Sequence, residues 1–379
     1  MNQILGRSLL SPCLLASLVT KSGHTDLKST LTHINDIMSR TYSHEDALLH
    51  RNNLSACPID MIGKRYNRFI RDAQRPVPHK NHWHSDLPIC ERSGLSPDSH
   101  MPHDDYAVIM REEDTHAPSE PAGQVFNSIG IIRTFFKEKL NIDQIFGCSA
   151  DINAVIHYGT NYANAFWNSQ AIFFGDGDGI VFGPFYNDID IIAHELAHGF
   201  ISSKADFRYT YQSGALNESV ADVLGIMVKQ YLNNGTADTS NWLLGENLFI
   251  DQINAPALRS MINPGDAYYL SDDVRDPQVG HMSQYQDLPI FIDNGGVHIN
   301  SGIPNRAFYL LAKSLGGYTW DIAGKIWLEA VSDNNVTKRA NFIEFANATI
   351  RAAKKLFDDN IAQKTQQSWL DVGLVLKLQ

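Results

Sequence analysis

The stretch IIAHELAHGF, Ile191 to Phe200, sets two histidines four residues apart with a glutamate directly after the first. On an α-helix positions i and i+4 share a face, so His194 and His198 can turn both imidazoles toward one metal ion, with Glu195 beside them as a candidate base. The competing reading is an ordinary half-buried helix whose histidines bond locally. In a chain with 15 His, the pattern His-Glu-any-any-His arises by chance with a probability of about 0.02. A third ligand decides more, because a catalytic zinc needs three protein ligands and an open fourth position. One arrangement supplies a further histidine soon after the second, but Lys204 stands there; another draws a glutamate from a second helix. Such a helix is predicted over SGALNESVADVLG, Ser213 to Gly225, where Ala215, Leu216, Val220, Val223 and Leu224 form the apolar face. Glu218 sits in its first turns. Asp222, at i+4 from Glu218, could accept the ring N–H of His194 and fix its tautomer, or could be a solvated helix charge.

These residues resemble the thermolysin-like zinc metalloproteases. The likeness rests on His194-Glu195-Leu196-Ala197-His198, on Gly214-Ala215-Leu216-Asn217-Glu218-Ser219, and on Asp222. It continues through HYGTNYANAFWN (157–168), FFGDGDG (173–179), ALRSM (257–261) and DNGGVHINSGIPNRAFYL (293–310), and covers roughly residues 66–379 in register. It implies one zinc ion held by His194, His198 and Glu218, with Glu195 as general base and no ligand itself. His298 and Tyr209 would stabilise the oxyanion, with Asp293 bonded to His298. The Asn294-Gly295-Gly296 turn can present that histidine into a cleft. Asn164 and Ala165 would offer backbone contacts to an extended peptide at a sheet edge. The pocket for the residue after the scissile bond would be lined by Phe182, Phe185, Ile191, Leu244 and Leu258, with Arg259 at its rim binding a substrate carbonyl. An apolar lining penalises a buried polar side chain, so cleavage is expected before Leu, Phe, Ile or Val; the aromatic Phe185 leaves the preferred size open. At the family's paired calcium site Asp190 and Glu246 remain, but Lys229 and Leu243 replace other ligands, too few oxygens for calcium, and none is expected there.

Those residues must be positioned by a mixed α+β chain. Its 379 residues and 43% hydrophobic content suffice for two or three domains with a sizeable core. The resemblance implies a β-rich N-terminal lobe over residues 59–205, including the zinc helix, and an all-helical C-terminal lobe over 206–379. A small helical prosegment, residues 1–58, would precede them. Apolar spacing predicts a helix over 125–140, and alternation of Ile152, Ala154, Ile156 and Tyr158 a strand. RYNRFIRDAQ resembles the family's first strand, while residues 76–122, rich in Pro, His, Ser and Asp, read as a long ordered loop region. Past residue 210 the pattern is nearly all helical. His79, His82 and His84 could bind a surface metal, though a solvated cluster is the plainer reading. Cys13, Cys57, Cys90 and Cys148 form no metal motif.

The formal net charge of −11 argues against polyanionic partners, so no nucleic acid is expected. No apolar run is long enough to span a membrane. Protein or peptide substrates and the chain's own prosegment are the expected partners of a monomer. Residues 1–65 carry a net +2 against −13 for the rest, so the two parts could attract. Leu9 to Val19 makes a poor secretion signal, since Pro12 interrupts it and no clean cleavage site follows. The segment Ser11-Pro12-Cys13-Leu14-Leu15 instead resembles the inhibitory motif of the short-propeptide, protealysin-like branch, with Cys13 in place of its second proline. That cysteine is either an apolar plug or a thiolate approaching the zinc. Residues 50–60 read as an exposed linker of the kind proteases nick. The resemblance therefore implies a latent precursor, secreted without a standard signal peptide, with cytoplasmic storage as the alternative. An exopeptidase, or a non-catalytic zinc-stabilised binding protein, are the other functional readings. Nothing resembles the Gly-Ala-Met-Glu-Asn motif of related aminopeptidases, and every catalytic position is filled.

Overall fold

The computed structural model describes residues 7–10, 12–21, 67–76, 103–146, 151–272 and 274–376. The candidate linker at 50–60, the His79, His82, His84 cluster, and the side chains of Pro12 and all four cysteines lie outside that set. The chain forms two compact units, one of residues 1–127 with 148–186 and one of 128–147 with 187–379.

The first unit is built on a six-stranded mixed sheet. Its strands are β1 (Arg7–Ser8), β2 (Arg68–Pro76), β3 (Tyr106–Arg111), β4 (Ile152–Ile156), β5 (Ala165–Trp167) and β6 (Ala171–Phe174), in the order β1-β5-β6-β4-β2-β3. β4 runs parallel to both neighbours, β2 and β6, and all five of its residues are buried. A half-buried strand alternates; this one is central and covered on both faces, which produces continuous burial. β5 and β6 pair antiparallel with Phe166 opposite Phe173, whose rings stack at 4.8 Å in a cluster with Tyr106, Tyr158 and Tyr162. The 76–122 segment is not loop throughout. It contains β3, preceded by a 3-10 turn, His103–Asp105. The strand is fastened where Arg68 donates to both oxygens of Glu112, at 2.7 and 3.0 Å, and rests its guanidinium 3.6 Å from the Phe126 ring centroid. In the N-terminal segment, α1 (Pro12–Lys21) starts with a proline, whose missing N–H costs nothing at a helix's first position. Leu14, Leu15 and Leu18 are buried.

α2 (Glu120–Leu140) is longer than the predicted 125–140, and the unit boundary runs through it. The second unit is helical apart from two short ribbons, β7–β8 (Leu243–Leu244 with Arg259–Ser260) and β9–β10 (Tyr269–Ser271 with Val274–Arg275). Its helices are α3 (Ile189–Ser202), α4 (Tyr211–Leu232), α5 (Asp293–Asn300), α6 (Gly302–Leu315), α7 (Ala323–Val331), α8 (Phe342–Leu356) and α9 (Asp359–Asp371). The helix bearing His194 and His198 thus groups with this unit, whereas the motif-based division set it with the first. The grouping follows from packing: α3 and α4 approach closely at Gly225, where a Cβ would lie 2.6 Å from the Asp190 carbonyl oxygen. Elsewhere in this unit Trp327 and Trp369 stack at 5.7 Å, and the Trp369 indole N–H donates to Thr349 Oγ1 at 2.9 Å, so Trp369 is buried with its donor satisfied. A capping box at Asn341 and Glu344 starts α8. Among the described residues no helix is long and apolar enough to cross a membrane.

Candidate active site

The candidate ligands and catalytic groups His194, Glu195, His198, Tyr209, Glu218, Asp222, Arg259, Asp293 and His298 all belong to the second unit, and all are buried. The helical spacing in α3 aims His194 and His198 the same way, their rings 4.7 Å apart. The neighbouring helix α4 brings up Glu218. Ligand atoms of His194, His198 and Glu218 lie within 4.8 Å of one another, with Glu218 Oε2 3.4 Å from His194 Nε2 and Oε1 3.5 Å from His198 Nε2.

Each imidazole is oriented from behind. His194 Nδ1 lies 2.8 Å from Asp222 Oδ1 and His198 Nδ1 2.8 Å from Asn217 Oδ1, so both rings keep their Nε2 for the cluster. Sequence reasoning found Asp222 but missed Asn217. Its only signal was an amide in the otherwise apolar face of α4, immediately before a ligand candidate. Asp222 also accepts from Arg259 Nη2 at 2.7 Å and Nε at 3.2 Å. Arg259 is held there because β8 pairs with β7, setting it opposite Leu244.

His298 arrives through a kink. Asp293, Asn294, Gly295 and Gly296 all have φ between 50° and 84°. Asp and Asn tolerate the left-handed region, and at Gly295 a Cβ would meet the Tyr211 ring at 2.4 Å. The turn lets Asp293 accept from His298 twice, Oδ2 from the backbone N–H at 2.9 Å and Oδ1 from the ring at Nδ1, 2.5 Å. Tyr209 donates its hydroxyl to Glu218 Oε1 at 2.6 Å and lies 3.2 Å from His298 Nε2.

The electrostatics favour a cation. Glu218, Asp222 and Asp293 face one guanidinium, Arg259, in a fully buried cluster. Burial opposes charge on Glu218, Asp222, Arg259, His194 and His298, yet the charges and hydrogen bonds of partners prevail over it at each of them. They hold Glu218 well below the usual carboxylate range through His298, His198 and His194, and hold Asp222 down through Arg259 and His194. They raise His194 to about 9 through Asp222 and Glu218, and His298 to about 9 through Asp293 and Glu218. A divalent ion would neutralise the same excess of negative charge that draws protons onto those histidines. Glu195 is different: burial dominates and pushes its carboxyl up to about 8, and neither buried oxygen has a hydrogen-bond partner among the described residues. The His194 Nε2 atom is likewise buried without a hydrogen bond. Two imidazole nitrogens and a carboxylate at this separation fit zinc.

The remaining site candidates are distributed. Asn164, Ala165, Phe182 and Phe185 lie in the first unit; Ile191, Leu244, Leu258 and Arg259 lie in the second. All eight are buried. Asn164 and Ala165, at the start of β5, are already engaged by the N-terminal segment. Arg7 and Ser8 pair antiparallel with Trp167 and Phe166, Leu9 N–H donates to the Ala165 carbonyl at 3.0 Å, and Leu10 N–H to Asn164 Oδ1 at 3.0 Å. The Pro12-Cys13-Leu14 stretch follows as the first turn of α1.

Known proteins share this arrangement. The thermolysin metallopeptidase catalytic domain matches residues 124–202 and its alpha-helical domain residues 205–374. Protease PrtS of Photorhabdus sp. (strain Az29) is 46% identical over 64% of this chain and 66% of its own length. An extracellular metalloprotease of Pectobacterium carotovorum subsp. carotovorum is 40% identical over 80% of this chain and 86% of its own. The structure of the precursor of protealysin, a metalloproteinase from Serratia proteamaculans, superposes with a TM-score of 0.77 at 34% identity, covering 97% of this chain and 100% of that one. With a buried His-His-Glu cluster on adjacent helices and relatives matched through both domains, the chain belongs to the thermolysin metallopeptidase family.

Proposed function

We propose that this chain is a zinc-dependent endopeptidase held as a latent precursor. The observation that carries the reading is the convergence of His194, His198 and Glu218 next to an unpartnered, buried Glu195. Zinc, when bound, supplies a Lewis acid for a peptide carbonyl and acidifies water. Glu195, buried beside that cluster with neither oxygen engaged among the described residues, is placed to take a proton from the attacking water and release it to the departing amine nitrogen. Tyr209 and His298 donate to negative charge developing on the carbonyl oxygen, and Asp293 keeps His298 oriented as a donor. Arg259, braced on Asp222, binds a substrate carbonyl. The apolar side chains of Phe182, Phe185, Ile191, Leu244 and Leu258 support cleavage before Leu, Phe, Ile or Val.

Latency is supported by the engaged edge of β5. An extended substrate needs backbone partners of the sort that Ala165 and Asn164 already give to Leu9 and Leu10. A prosegment of residues 1–58 would compete with substrate there until removed, by the enzyme itself. Intact-mass analysis of the purified full chain tests this. Wild type shortens by roughly its first 50 to 60 residues, the exposed linker setting the limit, while Glu195→Ala stays whole. If both stay whole after chelation-free incubation, self-maturation is wrong. Internal cleavage of a blocked peptide by the shortened form separates endopeptidase from exopeptidase, and no cleavage at all favours a binding protein. Export accords with the Pectobacterium relative's name, which calls that protein extracellular; cytoplasmic storage is the alternative, and a monomer suffices for every step.

Lys229 takes the place of calcium in this reading. Its ammonium donates to the Leu243 carbonyl at 2.7 Å and to Glu246, and lies 3.7 Å from Asp190 Oδ2. Added calcium should leave the thermal midpoint unchanged. Burial and the charge of Asp188 push the Asp190 carboxyl up to about 7 against the pull of Lys229. A carboxyl raised on folding loses stability as pH rises through its folded value. Lys229→Met removes the counteracting charge and lifts Asp190 further. The variant should lose on the order of 2 kcal/mol, with a larger loss at pH 8 than at pH 5. Urea melts at both pH values check it; an equal loss at the two would show that Asp190 is not the coupled group.

A further inference from the structure

Asn305, on α6, is completely buried, yet its amide is only half satisfied. The NH2 group donates to Asp222 Oδ2 at 2.9 Å, while the amide oxygen has no hydrogen-bond partner among the described residues. The orientation is fixed by chemistry, since turning the amide over would press its oxygen against a carboxylate. A buried acceptor left unpaired is a cost, carried here by a side chain whose NH2 gives Asp222 a donor that a leucine of similar volume could not supply. Such a local inconsistency points to a role other than packing.

The role follows from how Asp222 distributes its oxygens. Oδ1 takes His194 Nδ1 at 2.8 Å and both Nη2 and Nε of Arg259, at 2.7 and 3.2 Å. Oδ2 takes Asn305, and no other donor among the described residues. Guanidinium and carboxylate ordinarily meet as a fork, one nitrogen on each oxygen. Here both nitrogens crowd onto one oxygen, the one that His194 also uses. Rotation of the carboxylate toward the fork would draw Oδ1 away from His194 Nδ1 and release the tautomer that leaves Nε2 for a metal. The Asn305 amide, holding Oδ2 on the far side, opposes that rotation.

We propose that Asn305 is a positioning residue of the metal site, acting through Asp222 on His194 by keeping the Asp222–Arg259 pair from closing into a symmetric fork. The inference rests on the zinc reading of the cluster and extends it to a third helix.

The test uses the full chain in a Glu195→Gln background, which prevents self-cleavage, with Asn305→Leu and Asn305→Ala. The zinc dissociation constant is measured by competition with a chromophoric chelator, and the thermal midpoint of the metal-free protein alongside it. Both variants should bind zinc about tenfold more weakly, the lower end of what loss of a ligand's outer partner costs. Metal-free Asn305→Leu and Asn305→Ala should both melt lower than the parent, because buried Asp222 Oδ2 loses the one donor described for it, so the zinc competition and not the melt carries the test. Adding Asp222→Asn to either variant should erase the effect of residue 305, since the carboxylate through which it acts is absent. Zinc affinity within about twofold of the parent in both variants, or an undiminished penalty without the Asp222 carboxylate, would overturn the proposal. Should Asn305→Leu fail to fold, the alanine variant carries the same measurements. A parent that binds no zinc sinks the metal reading and this inference with it; a parent that binds while the variants are unchanged sinks the inference alone.

Discussion

Glu195→Gln is expected to lower kcat for a blocked peptide by at least about a thousandfold, within the range that a positioned general acid–base supplies, while leaving zinc affinity near wild type. The expectation comes from what the side chain does and does not touch. Its two oxygens are buried and carry no hydrogen bond among the described residues, so it braces no other group described there. An amide of the same shape keeps the packing and removes both the negative charge and the capacity to carry a proton. Burial is also the main reason its carboxyl rises to about 8, so replacing it by a neutral group should raise stability slightly rather than lower it. Three readings of one variant therefore have to agree: chemistry lost, metal kept, melting temperature equal or higher. A variant that lost zinc as well would make Glu195 a ligand rather than a base. One that kept a tenth or more of wild-type kcat would remove it from the chemistry.

How much of this was legible in the sequence depended on whether a feature is local. His194, Glu195 and His198 are set by one helical period, and Asp222 follows from Glu218 by the same rule, so those positions could be read from spacing alone. The kink that delivers His298 was legible in Asn294-Gly295-Gly296, since consecutive residues that tolerate positive φ rarely serve another purpose. Asn217 and Asn305 were not legible. An asparagine in a helix carries no sign of which carboxylate or imidazole lies across the interface, and both act over long sequence separations, on His198 and Asp222. β3 was hidden by its surroundings, six residues of strand inside a segment rich in Pro, His and Asp, stabilised by an Arg68–Glu112 pair that no local pattern announces. β4 was found from its alternation, but its full burial was not legible, because alternation does not say what packs on the second face. The prosegment motif at Pro12-Cys13-Leu14 drew attention to the start of α1. The backbone contacts to β5 instead come from Arg7 to Leu10, where pairing is made by main chain and side-chain identity says little.

Removal of zinc by 1,10-phenanthroline is expected to lower the thermal midpoint of the Glu195→Gln protein by roughly ten degrees. A ligand present at a thousand times its dissociation constant stabilises the folded state by about 4 kcal/mol, and in a helical unit of this size each kilocalorie is worth about 2–4 °C. The sign follows from the charges left behind. Without the ion, Glu218, Asp222 and Asp293 remain buried with Arg259 as their guanidinium among the described residues, and protons taken up on His194 and His298, both raised to about 9, offset the remaining negative charge. Those protons are taken up as pH falls through about 9 and compete with the metal, so the gap between metal-bound and metal-free midpoints should narrow from there downward. His198→Ala supplies the control. With one ligand gone the chelator should shift the midpoint little, because there is little bound zinc to remove, and the variant should already melt near the metal-free value. Calorimetry with and without chelator, followed by zinc add-back, makes the comparison. A chelator effect of equal size in wild-type and His198→Ala backgrounds would mean that the stabilising ion sits elsewhere. No effect in either would mean that the buried carboxylates are held by protons and Arg259 alone, and that the cluster contributes chemistry without contributing to stability.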